Sequence, residues 1–427
     1  MKVLIVGGGG REHAIALKIK ENPEVTALYA APGNGGIAQI ATCLPFKATD
    51  VDGIVRWAAE NKVDFVIVAP DDPLCLGMVD ALAAQGIPAF GPRKDAAIIE
   101  GSKVFSKNLM KKYGIPTAAY ETFDDYDAAV KYLQTADMPI VVKADGLALG
   151  KGVLICPDRE SAVEAVASMM KEAKFGASGA RVVIEEFLTG PEVSVLAFTD
   201  GKTVKPMVSS MDHKRALDHD EGLNTGGMGT IAPNPCYTPE LAQRCMDEIF
   251  LPTIAAMNAE GRTFTGCLYF GLMMTPKGPK VIEYNCRFGD PETQVVLPLL
   301  KSDLLTIMRA TVDGTLADTP VEFASGAACC VVLASGGYPV SYKSGYPISG
   351  LDEAGKTATV FHAGTKLVDG QMVTAGGRVL GVTATANTLE AAIDKAYQAA
   401  DKITFTDMHM RRDIGQRALA SRKESHS

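Results

Sequence analysis

Several features that would assign a class at once are missing from this sequence. No apolar run approaches the roughly 18 residues of a membrane span, and no charged leader precedes the first strand-like run. The nine cysteines include no CxxC pair, which favours buried thiols in a reducing compartment over disulfides or a zinc site. The net charge of -8 argues against general nucleic-acid binding. We expect a cytoplasmic protein, most simply a monomer, with no nucleic-acid or membrane partner.

The chain is too long for one ordinary hydrophobic core, at 427 residues. Apolar runs alternate with helix-like stretches at its start, and composition shifts near residue 326, where short glycine-punctuated strands begin. We therefore expect an α/β fold in three parts. A doubly wound parallel-sheet domain would cover residues 1–100, a central domain 101–325, and a small α/β domain 326–427.

Near the N-terminus, a short apolar strand leads into the glycine loop at residues 7–10 and then into a helix-like stretch. Amides of such a loop can approach an anion at the helix N-terminus. Glu12 occupies the third fingerprint position of a dinucleotide site, which opposes that reading. We interpret Gly8, Gly9 and Gly10 as binding one phosphate monoester, with a tight turn as the open alternative. A second loop, Pro32–Gly36, carries Asn34.

A lysine and a glycine-rich loop follow one another at residues 143–152. Lys143 ends an apolar strand, and Gly150, Lys151 and Gly152 close the loop before the next strand. Because a strand rather than a helix follows, and Gly152 replaces Ser or Thr, this is not a Walker P-loop. A glycine-rich hairpin can instead cover a triphosphate. A solvent-exposed lysine at a strand end is the alternative.

Two further polar segments are candidates for ligand binding. Residues 186–188 follow an apolar strand, so their backbone could pair with an adenine edge and Glu192 with ribose hydroxyls; an ordinary turn is equally plausible. Asp212–Arg215 and Asn224–Gly229 bracket a long loop that we expect to be structureless and functional. Its adjacent cations suit an anionic substrate, whereas His213 is expected to be structural or solvated.

The sequence is organised around residues 282–292. An apolar run from Cys267 to Met274 and a Pro-Gly turn precede this stretch, which predicts a β-hairpin. Alternation would place Glu283, Asn285 and Arg287 on one face. A carboxylate and an amide oxygen suit Mg²⁺, and an arginine fork suits carboxylate or phosphate. A solvated polar face is the alternative. A helix is expected over residues 293–309, and another from the capping Ser102 to Lys112, ended by Gly114 and Pro116.

Together these stretches resemble the phosphoribosylamine–glycine ligases (glycinamide ribonucleotide synthetases) of the ATP-grasp superfamily, over nearly the whole chain. The likeness is carried by residues 6–14, 31–34, 100–103, 142–148, 150–153, 185–188, 212–215, 224–229 and 285–292. It implies an ATP-grasp fold with a lid at about 120–190. It also implies phosphorylation of glycine by ATP to glycyl phosphate, which the amine of 5-phosphoribosylamine then attacks, in the second step of de novo purine biosynthesis.

The resemblance also implies roles for individual residues, with Mg²⁺ or Mn²⁺ held by Glu283 and Asn285. Reacting groups would be positioned by Asp212, Lys214, Arg215 and Arg287. ATP would be bound by Lys103, Lys143, Gly150, Lys151, Gly152, Glu185, Glu186, Phe187, Leu188 and Glu192. Glycine and phosphoribosylamine would be bound by Gly8, Gly9, Gly10, Asn34, Asp72, Asn224, Thr225, Gly226, Gly227, Met228, Asp290 and Glu292.

The chain departs from the family pattern at two places. Ala69-Pro70-Asp71-Asp72 stands where Gly-Pro-Glu usually precedes Pro-Leu, and Pro191-Glu192 leaves one glutamate where two are usual. Another ATP-grasp carboxylate–amine or carboxylate–thiol ligase is the first alternative function. A nucleotide-binding regulatory module is the second, and a dehydrogenase is the weakest.

Overall fold

The computed structural model describes residues 1–148 and 151–424. The N-terminal part contains a parallel sheet of order β3-β2-β1-β4-β5, which confirms the doubly wound prediction. Its strands are β1 (Lys2–Gly7), β2 (Ala27–Pro32), β3 (Thr42–Cys43), β4 (Phe65–Val68) and β5 (Ala89–Phe90), and its helices are α1 (Gly10–Lys20), α2 (Val51–Glu60), α3 (Asp71–Cys75) and α4 (Met78–Ala84). Gly7 pairs with Pro32 at the carboxyl ends of β1 and β2. The two glycine loops therefore lie side by side.

Two helices lead from this sheet to the central part, α5 (Lys94–Gly101) and α6 (Lys103–Tyr113). The Ser102 hydroxyl caps α6 by accepting from Phe105 N, and Gly114 ends the helix at φ 68°. This is the helix that the sequence predicts between Ser102 and Gly114. The cap fixes Lys103 as the first helical residue.

An antiparallel sheet of order β6-β9-β7-β8 forms the region predicted as the lid. It consists of β6 (Tyr120–Phe123), β7 (Ile140–Ala144), β8 (Val153–Cys156) and β9 (Val182–Glu186), covered by α7 (Tyr126–Leu133) and α8 (Arg159–Met170). Val142, Val166 and Ile184 belong to its own buried cluster. The lid sheet is therefore a separately packed layer.

The next segment supplies six strands to three sheets. They are β10 (Glu192–Thr199), β11 (Val204–Pro206), β12 (Met211–Asp212), β13 (Arg215–Leu217), β14 (Glu221–Asn224) and β15 (Gly229–Ala232). β13 and β14 pair with each other in an antiparallel hairpin. The prediction of a structureless loop between Asp212 and Gly229 is wrong, because this loop folds back on itself.

The predicted hairpin is confirmed. After α9 (Pro239–Cys245), a π-helical turn (Met246–Phe250) and α10 (Leu251–Ala259), β16 (Gly266–Thr275) turns directly into β17 (Gly278–Asn285). They form a sheet of order β11-β10-β16-β17. The register shifts beside Gly271, so Glu283 pairs with Gly271 while Val281 pairs with Leu272.

The single helix predicted over residues 293–309 is wrong. The structure has α11 (Thr293–Val296), a 3₁₀ turn (Leu297–Leu299) and α12 (Leu304–Asp313). Pro298 removes a backbone donor inside the predicted span. Asp303 then starts a new helix by accepting from Thr306 N.

The C-terminal part adds β18 (Ala327–Ala334), α13 (Leu351–Gly355), β19 (Thr359–His362), β20 (Thr365–Val368), β21 (Gln371–Thr374), β22 (Arg378–Ala386), α14 (Leu389–Ala400) and α15 (Gln416–Glu424). Its main sheet has the order β12-β15-β18-β22-β19. Thr230 of β15 pairs with Cys330 of β18. This sheet thus crosses the boundary predicted at 325, and the three-part division stays a prediction.

The N-terminal and C-terminal parts also meet directly. His362 N of β19 donates to His13 Nδ1 of α1 at 2.8 Å, and the two rings lie 5.5 Å apart. Burial lowers the pKa of His13 to about 3 and that of His362 to about 4. His13 must be unprotonated at Nδ1 to accept this bond.

No helix in the described part of the chain is both long and apolar enough to cross a bilayer.

Candidate active site

Glu283, near the end of β17, is the centre of the candidate site. Its neighbours along the strand alternate as predicted, because Tyr284 and Cys286 are buried behind it. Lys214 Nζ lies 3.5 Å from Glu283 Oε1. Burial opposes ionisation of Glu283, but Lys214, Lys143 and Lys103 outweigh burial and lower its pKa to about 2. Glu283 is therefore a carboxylate at neutral pH.

Lys143 and Lys103 approach Glu283 from the lid sheet and from α6. Lys143 Nζ donates to Ile282 O at 3.2 Å and forms an ion pair with Glu185 of β9. Lys103 Nζ donates to Gly146 O at 3.0 Å, at the start of the glycine-rich loop. Burial and the Lys143 charge lower the pKa of Lys103, against the attraction of Glu283. Two predicted phosphate-binding cations thus stand beside the predicted metal ligand.

Glu100 at the end of α5 anchors the residues that follow Glu283. Its carboxylate accepts from Cys286 N at 2.7 Å and from Arg287 Nη2 at 2.8 Å. The Asn285 amide nitrogen, oriented by its neighbours, lies 3.0 Å from Glu100 Oε1. This orientation leaves the Asn285 oxygen for a ligand. Within the described residues, Arg287 Nε is buried without a partner, so it is a free donor.

Two acidic residues, half-buried Asp212 and buried Glu292, lie on the other side of Lys214. Tyr269 hydroxyl donates to Glu292 Oε1 at 3.2 Å, and it also shares a hydrogen bond with Ser194. Burial and the charge of Glu292 raise the pKa of Asp212 well above its ordinary value. Burial also raises the pKa of Glu292. A small cleft joins Asp212, Lys214, Tyr269 and Glu283 to Glu192 at the start of β10.

The loop from Asp212 to Met228, called here the Lys214 loop, is held close to this cleft. The Thr225 backbone and hydroxyl both donate to Lys214 O, at 2.7 and 2.8 Å. Gly227 has φ +124°, and a Cβ there would lie 2.5 Å from Pro291 Cδ. Only glycine fits this approach. His213 Nδ1 donates to Gly229 O and its Nε2 accepts from Gly415 N, so it is structural as expected.

The N-terminal glycine loop faces the same region through Asp290. Arg11 N donates to Asp290 Oδ2 at 3.2 Å, while Gly9 N donates to Glu12 Oε2 at 2.8 Å. A Cβ on Gly10 would lie 2.5 Å from Gln294 Nε2. The Gly9 amide, one of those predicted to bind a phosphate, therefore already faces a carboxylate, and the phosphate contact stays a prediction.

Comparisons with known proteins agree on one family. The N, ATP-grasp (A) and C domains of phosphoribosylglycinamide synthetase match residues 1–100, 101–293 and 328–417. The chain belongs to the phosphoribosylglycinamide synthetase family. Phosphoribosylamine–glycine ligase of Halalkalibacterium halodurans is 48% identical over 100% of this chain and 99% of its own length. The Vibrio cholerae ligase is also 48% identical, over 98% and 99%.

Solved structures agree with the synthetase family. The crystal structure of phosphoribosylamine–glycine ligase from Thermotoga maritima has a TM-score of 0.86 at 34% identity, covering 97% of this chain and 100% of that one. A biotin carboxylase domain from Hydrogenobacter thermophilus, solved with MgADP, has a TM-score of 0.73 at 18% identity over 96% and 91%, which shows the fold alone. The predicted family, ATP-grasp fold and ATP-dependent ligase class are confirmed.

The predicted nucleoside contacts of this synthetase-family chain lie at the end of β9 and the start of β10. Glu186 is exposed, accepts from Ala119 N at 3.0 Å and pairs with Lys280 at 3.2 Å. Glu185 points inward and pairs with Lys107 at 2.9 Å. Phe187 and Glu192 are exposed, Leu188 is half-buried, and Lys151 is exposed beside buried Gly152. Gly150 lies outside the described residues.

Three predicted residues are placed apart from the cleft around Glu283. Arg215 Nη1 donates to Gly222 O across its own hairpin. Asn34 donates to Gly8 O and His362 O and accepts from Gly36 N and Ile37 N, so it joins loops. Asp72 is exposed. Burial alone would lower the pKa of Arg287, but the charges of Glu100 and then of Asp71 raise it.

Sequence reasoning missed several residues of this synthetase-family site. Arg378 of β22 donates to Gly226 O at 2.8 Å and to Asp290 O at 3.0 Å. Glu100 accepts a hydrogen bond from Arg287, and Tyr269 donates one to Glu292. Local pattern gave no signal for Arg378, because its partners lie 152 and 88 positions away. Glu100 belongs to the stretch 100–103 that carries the family resemblance. An acidic residue without an assigned role in that stretch was the signal that could have identified it.

Proposed function

We propose that the cleft around Glu283 performs the reaction of this family. ATP phosphorylates the carboxylate of glycine to glycyl phosphate, and the amine of 5-phosphoribosylamine displaces phosphate, giving glycinamide ribonucleotide, ADP and phosphate. The relatives, 48% identical over nearly their whole length, support the reaction. The observation that carries the residue assignment is the convergence of Lys103, Lys143 and Lys214 on one ionised carboxylate.

A divalent cation, Mg²⁺ or Mn²⁺, fits the residues present. Glu283 supplies an ionised oxygen and Asn285 an amide oxygen, both hard ligands. Among residues 1–148 and 151–424, no group of three or more His, Cys, Asp or Glu forms a metal cage. Such a cation is therefore expected to take its remaining ligands from phosphates and water. When bound, it would neutralise charge on the transferring phosphoryl group.

The side chains around Glu283 suit a transfer that needs alignment and charge neutralisation rather than a protein nucleophile. Lys103 and Lys143 would hold ATP phosphates from two different elements. The free Arg287 Nε would donate to an oxygen of the acyl phosphate, while Glu100 fixes the guanidinium plane. The acyl phosphate must be shielded from water, and the lid sheet carrying Lys143 is suited to that task.

The acceptor side of the reaction is expected near Asp290. This carboxylate lies at the N-terminus of α1 and 3.7 Å from Arg378 Nη2. Arg378, Arg11 and hydrogen bonds lower its pKa against burial, so it can accept from the amine or a ribose hydroxyl. The neighbouring glycine loop would face the phosphate of phosphoribosylamine.

A double substitution tests the assignment. Glu283→Ala with Asn285→Ala should lower ADP formation dependent on glycine and phosphoribosylamine by about 100-fold or more, with Glu240→Ala in exposed α9 as the control. A wild-type rate in the double variant would refute the metal assignment.

Replacing glycine by other amino acids in the same assay separates this ligase from other ATP-grasp ligases. A cytoplasmic location and a monomeric state belong to the same proposal, and light scattering tests the second.

A further inference from the structure

The hairpin of β13 and β14 interrupts the Lys214 loop, between Lys214 and Asn224. Its Leu217 and Leu223 side chains are 47% and 56% exposed. A two-stranded hairpin without an apolar face of its own is marginally stable. Other parts of the chain must therefore hold it in place.

Residues 409–417, called here the latch segment, provide these contacts. Arg411 is 1% exposed. Its Nη1 donates to Asp220 Oδ1 at 3.1 Å and to Arg215 O at 3.2 Å. Its Nε and Nη2 donate to the two oxygens of Asp413, both at 2.8 Å. The buried guanidinium forms a two-donor fork with Asp413 and a third side-chain bond with Asp220, which fixes both carboxylates.

The same segment binds the hairpin at further points. Asp413 Oδ2 accepts from His219 N at 2.9 Å, and Arg412 N donates to Asp218 Oδ1 at 2.8 Å. Arg417 Nη1 pairs with Asp220 at 2.6 Å. These contacts surround a turn in which His219 and Asp220 have φ of 60° and 55°. Two consecutive non-glycine residues in this region are strained, so the surroundings must hold them.

We propose that Arg411 is a positioning residue for the ligase reaction: through Asp220 and the Arg215 carbonyl it fixes the hairpin and hence the adjacent Lys214. The inference rests on the proposed function of Lys214 beside Glu283. Arg411 is buried against the hairpin and Asp413, so we assign it an indirect role. Its effect passes through the backbone, because Arg215 directly follows Lys214 and Gly415 of the same segment donates to His213.

Asp220→Gly is the first test, because it removes the carboxylate at a left-handed position where glycine adds no strain. We expect kcat for ADP formation to fall about tenfold or more, since small misplacement of a reacting group is costly, with an unchanged KM for ATP. Asp220→Asn keeps an acceptor oxygen and should restore most of kcat. His219→Gly, at the exposed neighbouring turn position, makes the same backbone change and should stay within about twofold of the parent.

A second pair separates Arg411 from general loss of charge. Arg411→Lys cannot form the fork and should behave like Asp220→Gly. Arg412→Lys is the control, since its side chain pairs with Asp401. Hydrogen exchange of residues 213–228 gives a readout without activity, and should be about tenfold faster in Asp220→Gly than in His219→Gly.

Unchanged kcat and unchanged exchange in both Asp220→Gly and Arg411→Lys would overturn the proposal. Equal loss of kcat in Asp220→Gly and His219→Gly would overturn it as well, because backbone freedom would then explain the effect. If the parent shows no ADP release dependent on glycine, the proposed function fails instead, and hydrogen exchange still decides whether the latch segment holds the loop.

Discussion

Arg287 combines two tasks in one guanidinium. One edge is occupied by Glu100, while Nε is buried and free among the described residues. A lysine at this position could form the ion pair but could not supply a second donor in a fixed plane. We therefore expect activity to be lost when Arg287 is replaced by a residue that keeps only the positive charge.

Arg287→Lys should lower kcat by about 100-fold, the usual effect of removing one donor aimed at developing charge. The affinity for ATP should change little, since Lys103 and Lys143 are untouched. ADP release under saturating glycine and phosphoribosylamine measures the effect, with Arg309→Lys, at an exposed pair with Glu24, as the control. Equal rates for both variants would remove Arg287 from the reaction.

At the scale of elements, the turn between β14 and β15 is set by close packing against Pro291. Gly227→Ala would place a Cβ 2.5 Å from Pro291 Cδ and 2.7 Å from Asp212 Oδ1. We expect loss of activity by about 100-fold through displacement of Asp212 and Lys214, measured as glycine-dependent ADP release. Gly261→Ala is matched, since it has φ +69° but open space around it, and should cost only about 1 kcal/mol of stability. Similar activity in the two variants would contradict this account.

Burial of His13 and His362 between α1 and β19 makes stability depend on pH. His13 and His362 have folded-state pKa values of about 3 and 4, below the usual 6.5, so the unfolded chain binds protons first. Their stabilisation is present above pH 6.5 and is lost as pH falls towards 4 and then 3. For each histidine, the free energy of unfolding should fall by about 2 kcal/mol between pH 6.5 and 5.

Denaturant unfolding at pH 7 and pH 5 checks this dependence. His13→Gln keeps an acceptor but does not titrate, so the difference in unfolding free energy between the two pH values should shrink. His219→Gln, at an exposed imidazole, is the control. The same pH dependence in His13→Gln and the parent would rule out the contact as its source.

At the scale of the whole molecule, one sheet joins sequence regions that composition separates. β15 pairs with β18, and β18 with β22. A chain ending at residue 325 would leave β15 without this neighbour and expose buried Ile231. We expect residues 1–325 to melt at a lower temperature than the full chain and to lack ligase activity, measured by calorimetry and ADP release. Addition of residues 326–427 should restore part of both, and equal melting of the fragment and the full chain would contradict this.

Local patterns predicted the strands best where apolar runs end in glycine or proline turns. β7, β9 and the β16–β17 hairpin were found in this way, as was α6 between Ser102 and Gly114. The break at Pro298 was missed because the apolar periodicity continues across it. The hairpin at 215–224 was missed because most of its residues are polar and its contacts lie in the latch segment.

The residues of the candidate site also fall into those that local sequence patterns predict and those that they do not. The stretch around Glu283 and Arg287 could be predicted because its residue types and alternation indicate their chemistry. Glu100, Arg378 and Arg411 could not be placed, because each acts on residues distant in sequence; Arg411 and Asp220 are 191 positions apart. Pairings of that kind depend on the folded chain rather than on any local window.

The pairing of β15 with β18 has a consequence for synthesis in the cell. A ribosome that has made Glu283, Lys103 and Lys143, but not yet β18, carries a nascent polypeptide in which strand β15 has an open edge. Nucleotide turnover by such an unfinished product would be wasteful. We expect this topology to delay activity until β18 has been made.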